Sequence, residues 1–257
     1  MLKKIITALT PVLVMLFLFG NQAFGAENSP ESSELTKEEF EEQFLENIDE
    51  STGTEKESLE LEYSKYTELD VEDQNKLIEY LNDEELMKNI AEQFSSPSSS
   101  ELTLQTTEDS VERENTVINK INDDIVIVDE LKDGPTPIKP GEMSIMAVQT
   151  KTASNSRWAK VAGVTVMELR SEVTYKRNSS TGKITGLVGS DHRVTRNLTL
   201  NRFNLSGKTH GSSSTKAWAK TNFTIDMAIK GLWTYRSGYS EVAVTNNGKI
   251  TGGVYYN

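Results

Sequence analysis

Residues 161–176 read "VAGVTVMELRSEVTYK", and the alternation along them decides the fold class. Val161, Gly163, Thr165, Met167, Leu169, Ser171, Val173 and Tyr175 fall on one side, with Glu168, Arg170, Glu172, Thr174 and Lys176 on the other. A period of two is that of a strand with one buried face, because successive side chains of an extended chain point to opposite sides. Phe223, Ile225, Met227, Ile229, Gly231, Trp233 and Tyr235 repeat the pattern against Asp226, Lys230, Thr234 and Arg236. Trp-Ala-Lys (158–160, 218–220) and Thr-Tyr (174–175, 234–235) recur at an offset of 60, and Gly-Lys-Ile-Thr-Gly (182–186, 248–252) at 66. "NSSTGKI" and "TNNGKI" read as hairpin turns, with Gly182 and Gly248 supplying the positive φ such turns need. One hairpin cannot bury its apolar face and two can. Residues 147–257 are therefore expected to form an all-β sandwich or barrel from a duplicated unit, about 158–189 and 218–257, with further strands around Val194, Leu198, Leu200, Phe203 and Leu205.

Upstream, the composition changes. Residues 27–150 hold 34 acidic and 9 basic side chains, a charge of −25, whereas residues 151–257 hold 5 acidic and 16 basic, a charge of +11. "LTKEEFEEQFLENID" opens with Thr36 and Glu39 at capping-box spacing, followed by Phe40, Phe44, Leu45 and Ile48 at helical spacing. "LDVEDQNKLIEYLNDEELMKNIAEQF" reads as two short amphipathic helices, with Asp70 as a cap, Leu77, Ile78 and Leu81 on one face, and Leu86, Met87, Ile90 and Phe94 after Asp83. The stretch between them is polar and fits a linker or a weak helix. The reading is an acidic helical region over 26–100, open to the alternative of a solvated disordered leader. Residues 101–146 read as a linker with one short strand, Ile125–Val128, and a Pro/Gly boundary at "GPTPIKPGE". The whole is an α+β chain, helical first and all-β after.

At the N-terminus, Lys3 and Lys4 precede an apolar run from Ile5 to Phe19, and Ala23-Phe24-Gly25 places small residues at the positions a signal peptidase reads. Residues 1–25 are expected to be a signal peptide cleaved after Gly25, since the run is shorter than a membrane span. There is no cysteine, so neither disulfides nor a lipidated Cys is expected, and an extracellular Gram-positive protein fits best.

Catalytic chemistry needs convergent reactive groups, and few are present. The two histidines are His192 and His210. Ser190, Asp191 and His192 are adjacent in sequence, which is not triad geometry. No elbow or zinc spacing occurs. The expectation is a non-enzyme with no catalytic residues, cofactor or metal, and no nucleic-acid role. Lys160, Arg170, Lys176, Arg193, Arg196, Lys220, Lys230 and Arg236, interleaved with Trp158, Trp218 and Trp233, are the candidates for engaging an anionic bacterial envelope: teichoic acid, lipid head groups or a wall precursor. The competing reading makes the tryptophans core and the basic residues a solvated β surface. The acidic region is the nearest anion in the chain and is expected to contact the basic one.

"SGKTHGSSSTKAWAK" (206–220) resembles the lactococcin-type bacteriocins, in which a Lys-Thr-His segment precedes a Trp-Ala-Lys segment; here these are residues 208–210 and 218–220. The layout of signal peptide, acidic helical region with "LDVEDQNKLIEYLNDEELMKNI" and β domain with "WAKVAGVTVMELRSEVTYKRN" and "VTRNLTL" resembles the large, heat-labile secreted bacteriocins of the geobacillin type. That resemblance implies an antimicrobial protein acting on related Gram-positive bacteria without catalytic residues. A wall- or surface-binding module that does not kill, and a hydrolase with an unrecognised site, are the alternatives.

Overall fold

The computed structural model describes residues 34–98, 102–105, 113–135, 148–199, 202–229 and 232–256. The expected signal peptide, its cleavage point at Gly25 and the segment 136–147 lie outside the described residues. Four helices come first: α1 (Lys37–Glu50), α2 (Thr54–Glu68), α3 (Val71–Asn82) and α4 (Glu84–Ser95). Thr36 and Glu39 form the reciprocal capping box of α1, and the carboxylates of Asp70 and Asp83 accept from Asp73 N and Leu86 N to cap α3 and α4. These caps satisfy amides that have no partner inside the helix. The apolar stripes then decide which face is buried. Phe40, Phe44, Ile48, Leu77, Leu81, Met87, Ile90 and Phe94 are all buried, each large side chain contributing about 2 kcal/mol. Leu45, expected on the same stripe, is 46% exposed. The polar stretch read as linker or weak helix is α2, held by buried Leu59 and Tyr66, with Phe40 against Tyr66 at 5.1 Å. The acidic region is thus folded, because each short helix has a small apolar stripe that meets another.

Ten strands follow: β1 (Leu102–Gln105), β2 (Arg113–Lys120), β3 (Ile125–Pro135), β4 (Val148–Val161), β5 (Val164–Asn178), β6 (Ile184–Asn197), β7 (Arg202–Ser212), β8 (Lys216–Ile229), β9 (Leu232–Thr245) and β10 (Lys249–Tyr255). They form two five-stranded sheets, β2-β3-β4-β5-β6 and β1-β10-β9-β8-β7, antiparallel throughout and not closed into a barrel. A sandwich of two such sheets matches the expected class.

Three details differ from the sequence reading. The run 161–175 is not one strand: Ala162 and Gly163 have φ of 47° and 83°, a two-residue turn that separates β4 from β5. Gly163 therefore sits at an exposed turn instead of on the buried face. Residues 102–135 are not a linker with one strand, since β1 completes one sheet beside β10 while β2 and β3 complete the other. Their sparse apolar residues, Leu102, Ile125, Ile127 and Leu131, are nonetheless buried. Third, the two Trp-Ala-Lys motifs are not equivalent in the fold. The first lies at the end of β4, just before its turn, and the second near the start of β8. The Gly-Lys-Ile-Thr-Gly motifs do correspond, each closing a hairpin with its glycine at positive φ (69° and 83°). A Cβ on Gly182 would stand 2.7 Å from the carbonyl of Asn246, so the two turns meet.

Helices and sheets share one apolar core, in which Phe40, Phe44, Leu77 and Phe94 join Ile127, Ala159, Met167, Leu169, Phe223 and Ile225. Helix α4 touches β3 and β4 of one sheet and β8 and β9 of the other, so it seals the gap between them. Phe94 meets Phe203 edge to face at 5.8 Å. Arg157, fully enclosed in β4, fixes this contact. Its guanidinium donates to both oxygens of Asp129 (2.6 and 2.7 Å), to the carbonyls of Phe94 (2.8 Å) and Ser96 (2.5 Å), and to Ser98 Oγ (2.9 Å). The carbonyls at the end of a helix lack partners and carry partial negative charge, which a guanidinium neutralises.

Candidate functional site

The candidate basic residues divide between the two sheets. On the outer face of β4-β5-β6, alternation and register make neighbours of several. Trp158, Glu168 and Arg196 form one cross-strand row, Ser156, Arg170 and Arg193 the next, and Ser154, Glu172 and Asp191 a third. Lys160 follows Trp158 on the same face of β4. Arg193 and Arg196 are three apart and would point to opposite faces of a regular strand. The register shifts between Glu168 and Leu169, leaving Thr195 as an extra residue, and this bulge returns both arginines to one face.

Carboxylates bridge the guanidinium groups. Glu172 Oε1 lies 2.5 Å from Arg170 Nη2 and 4.0 Å from Arg193 Nη2, Asp191 accepts from Arg193 at 2.8 Å, and Glu168 accepts from the buried Arg196. These partners leave donors over. The Nε atoms of Arg170, Arg193 and Arg196 and the indole Nε1 of Trp158 are shut from solvent with no hydrogen-bond partner, and so is Thr195 Oγ1. Buried polar groups are normally satisfied, so four such N–H donors without a partner among the described residues, in two adjacent rows of one face, set this patch apart.

The remaining candidates are elsewhere. Lys220 and Trp218 lie on the outer face of β8. Lys220 Nζ sits 3.4 Å from the centre of the Tyr239 ring, which itself stacks on Tyr255 at 5.1 Å. The Trp218 ring covers Gly211, where a Cβ would approach it to 3.1 Å. Arg236 pairs with Glu92 of α4. Lys176 is exposed on β5. Lys230 and the side chain of Trp233 lie outside the described residues. The helical region reaches the sheets at several points besides Arg157 and Arg236: Ser58 of α2 accepts from Arg196, Glu62 accepts from the amide of Thr165 at 3.1 Å, and Asp124, in the turn between β2 and β3, takes Lys76 at 2.7 Å and Tyr80 at 2.9 Å.

The histidines have separate roles. His210, exposed on β7, is 2.9 Å from Ser190 Oγ through Nδ1. Asp191 turns to Arg193, and among the described residues no carboxylate is bonded to this serine–histidine pair. His192 faces the interior, where its Nδ1 meets Ser171 Oγ at 3.1 Å and Ser171 reaches Ser240 at 2.9 Å on the facing sheet. Asn155 completes the chain to Ser240 at 3.1 Å. Burial pushes the His192 imidazole down to about 4, since a charged ring loses its hydration there, with Lys208 adding a like charge nearby. Among the described residues no group of three His, Asp or Glu is placed to hold a metal.

Sequence reasoning named Arg170, Arg193, Arg196, Lys160 and Trp158 but missed Glu168 and Glu172, which organise them, and Arg157, which docks the helices. Arg157 was detectable, because it takes an inward position in the alternation between Ala153 and Ala159. No family model matches the chain, and no curated protein or solved structure is significantly similar to it. Fold and site thus define a helix-capped β-sandwich with a guanidinium-rich outer face.

Proposed function

We propose that the chain is a secreted, non-enzymatic antimicrobial protein acting on the envelope of related Gram-positive bacteria. The observation that carries this reading is the gathering of Trp158, Lys160, Arg170, Arg193 and Arg196 on one outer face with four unpartnered N–H donors. Guanidinium groups beside an indole suit the anionic groups of a bacterial envelope. The two meanders β4-β5-β6 and β8-β9-β10 fit descent from one duplicated unit, aligned by their glycine turns. The acidic helices act as a mask on the cationic sheets, a role supported by Ser58 on Arg196 and Glu92 on Arg236.

The same face equally favours a surface-binding module without killing activity, and the test separates the two. Purified secreted chain is spotted on lawns of related Gram-positive strains before and after heating. Heat-sensitive zones of inhibition are expected. Binding to cells without zones would leave the module as the function, and neither binding nor zones would overturn both. Cleavage of wall polymer, lost in His210→Ala, would instead favour a hydrolase built on the Ser190–His210 pair.

A further inference from the structure

We infer that the outer face of β4-β5-β6 binds the phosphodiester groups of an anionic polyol-phosphate wall polymer, with Arg170 and Arg193 as the clamp and Glu172 holding their place when the polymer is absent. The inference rests on the envelope-directed reading and narrows it to one ligand class. A phosphodiester is small, carries one negative charge and presents free oxygens that each accept more than one hydrogen bond. Side-by-side guanidinium groups bind such oxyanions in forked pairs. Arg170 and Arg193 are directly opposite in the β5–β6 ladder, and Glu172, bonded to Arg170 at 2.5 Å and 4.0 Å from Arg193, stands between them as a carboxylate in the place of a ligand oxygen, while Asp191 holds the far side of Arg193 at 2.8 Å. Arg196, more than nine-tenths buried and held by Glu168 and Ser58, lies with Trp158 in the adjacent row and closes one side of the clamp.

A polymer fits this face better than a lipid bilayer does. Membrane-surface proteins need a contiguous apolar face to sink below the head groups. Among the described residues the exposed large apolar side chains are scattered singly: Leu45, Leu61 and Val71 on helices, Ile118 and Val188 on strands, and Tyr256 just past β10. A flat sheet with repeated charged rows instead suits an extended chain with a phosphate in every unit.

The test uses the intact secreted chain and delipidated poly(glycerol phosphate) as probe, with inorganic phosphate and phosphatidylglycerol vesicles as comparisons, read by calorimetry and by the indole N–H resonance of Trp158. Polymer binding that weakens steeply with salt is expected, with Trp158 shifted. The double variant Arg170→Gln/Arg193→Gln should bind roughly tenfold or more weakly, whereas Lys183→Gln/Lys249→Gln, an equal loss of charge at two hairpin turns, should not. Glu172→Gln should tighten binding several-fold, because it removes the competing carboxylate. A purely structural ion-pair network predicts the reverse, so weaker binding in Glu172→Gln overturns the inference, as does a polymer affinity indifferent to the arginines. If the double variant does not fold, Glu172→Gln alone decides. Vesicles that bind as well as the polymer with the same arginine dependence would overturn the polymer assignment in favour of lipid head groups. Inhibition zones without polymer binding would sink this inference and leave the antimicrobial reading standing, while polymer binding without zones would do the opposite.

Discussion

The two sheets share a four-stranded meander and differ in which edge the fifth strand joins and in what they place on each side. Both contain a four-stranded meander, β3-β4-β5-β6 and β7-β8-β9-β10, extended by β2 in one case and β1 in the other. The sheet of β2–β6 buries charge on its inner face, with Arg157 on Asp129 and Lys151 on Asp133 at 3.5 Å, and spreads an arginine–carboxylate net over its outer face. The sheet of β1 and β7–β10 lines its interior with Ala217, Ala219, Val242, Val244 and Ile250, and its outer face carries the Lys220–Tyr239–Tyr255 stack. The helices dock on both sheets, but one sheet anchors them through a buried guanidinium and carries the candidate ligand face, and the other supplies the aromatic stack and an apolar interior. Burying a charge is costly unless every donor is met, which is why Arg157 takes partners from β3, from the end of α4 and from Ser98 just beyond it.

The sharpest way to break this asymmetry is Arg157→Met. It leaves Asp129 fully buried without its counter-ion and frees the last carbonyls of α4, so a loss of about 3–5 kcal/mol is expected by chemical denaturation, with early amide exchange in α4. A loss under about 1 kcal/mol, with α4 protected, would show that apolar packing alone docks the helices.

The next effect comes from the interior histidine. His192 is neutral in the fold with its proton affinity held at about 4, against an ordinary value near 6.5. Lys208, whose Nζ donates to the His192 carbonyl, and His210 oppose its protonation, and Asp191 favours it. The unfolded chain takes up the proton first, so the contribution is complete above about pH 6.5 and falls as pH drops towards 4, by about 3 kcal/mol in all. Denaturation midpoints between pH 8 and pH 4 should carry this slope, and His192→Gln should flatten it. An unchanged slope in that variant would place the acid sensitivity elsewhere.

The paired glycine turns allow a finer comparison. Gly182→Ala combines positive φ with a Cβ 2.7 Å from the Asn246 carbonyl, and a cost of about 2 kcal/mol is expected. Gly163→Ala shares the backbone strain but meets open space, so about 1 kcal/mol suffices. Equal losses would mean that the two turns do not lean on one another. The smallest effect belongs to the other sheet: Lys220→Gln should cost less than about 1 kcal/mol and leave polymer binding as it was. A clear fall in binding would move the ligand face to β8–β10.

Legibility followed the range of the interactions. Thr36, Asp70 and Asp83 announce helix starts because capping acts within three residues. Gly182 and Gly248 announce hairpins because positive φ is a local demand. The Ala162–Gly163 turn was hidden, since a two-residue turn leaves the period-two pattern on either side looking continuous. The Trp-Ala-Lys repeat misled for a related reason: identical letters slid along strands whose turns lie elsewhere. Strands β1 and β2, and the run of β3 beyond Val128, were obscured because their surroundings are acidic and polar, and only pairing with β10, β3 and β4 gives them a place.

By itself, the sequence determined capped apolar stripes at helical spacing, an all-β C-terminal region of sandwich or barrel class, its hairpin glycines, the division of charge and the arginines worth watching, all of which local propensity and periodicity encode. The tertiary structure alone decided that Thr195 bulges, so that Arg193 and Arg196 share a face with Arg170 and Trp158, and that Arg157 turns inward to hold α4. Those outcomes depend on register between strands far apart in the chain, and register is a property of pairing that no single segment carries.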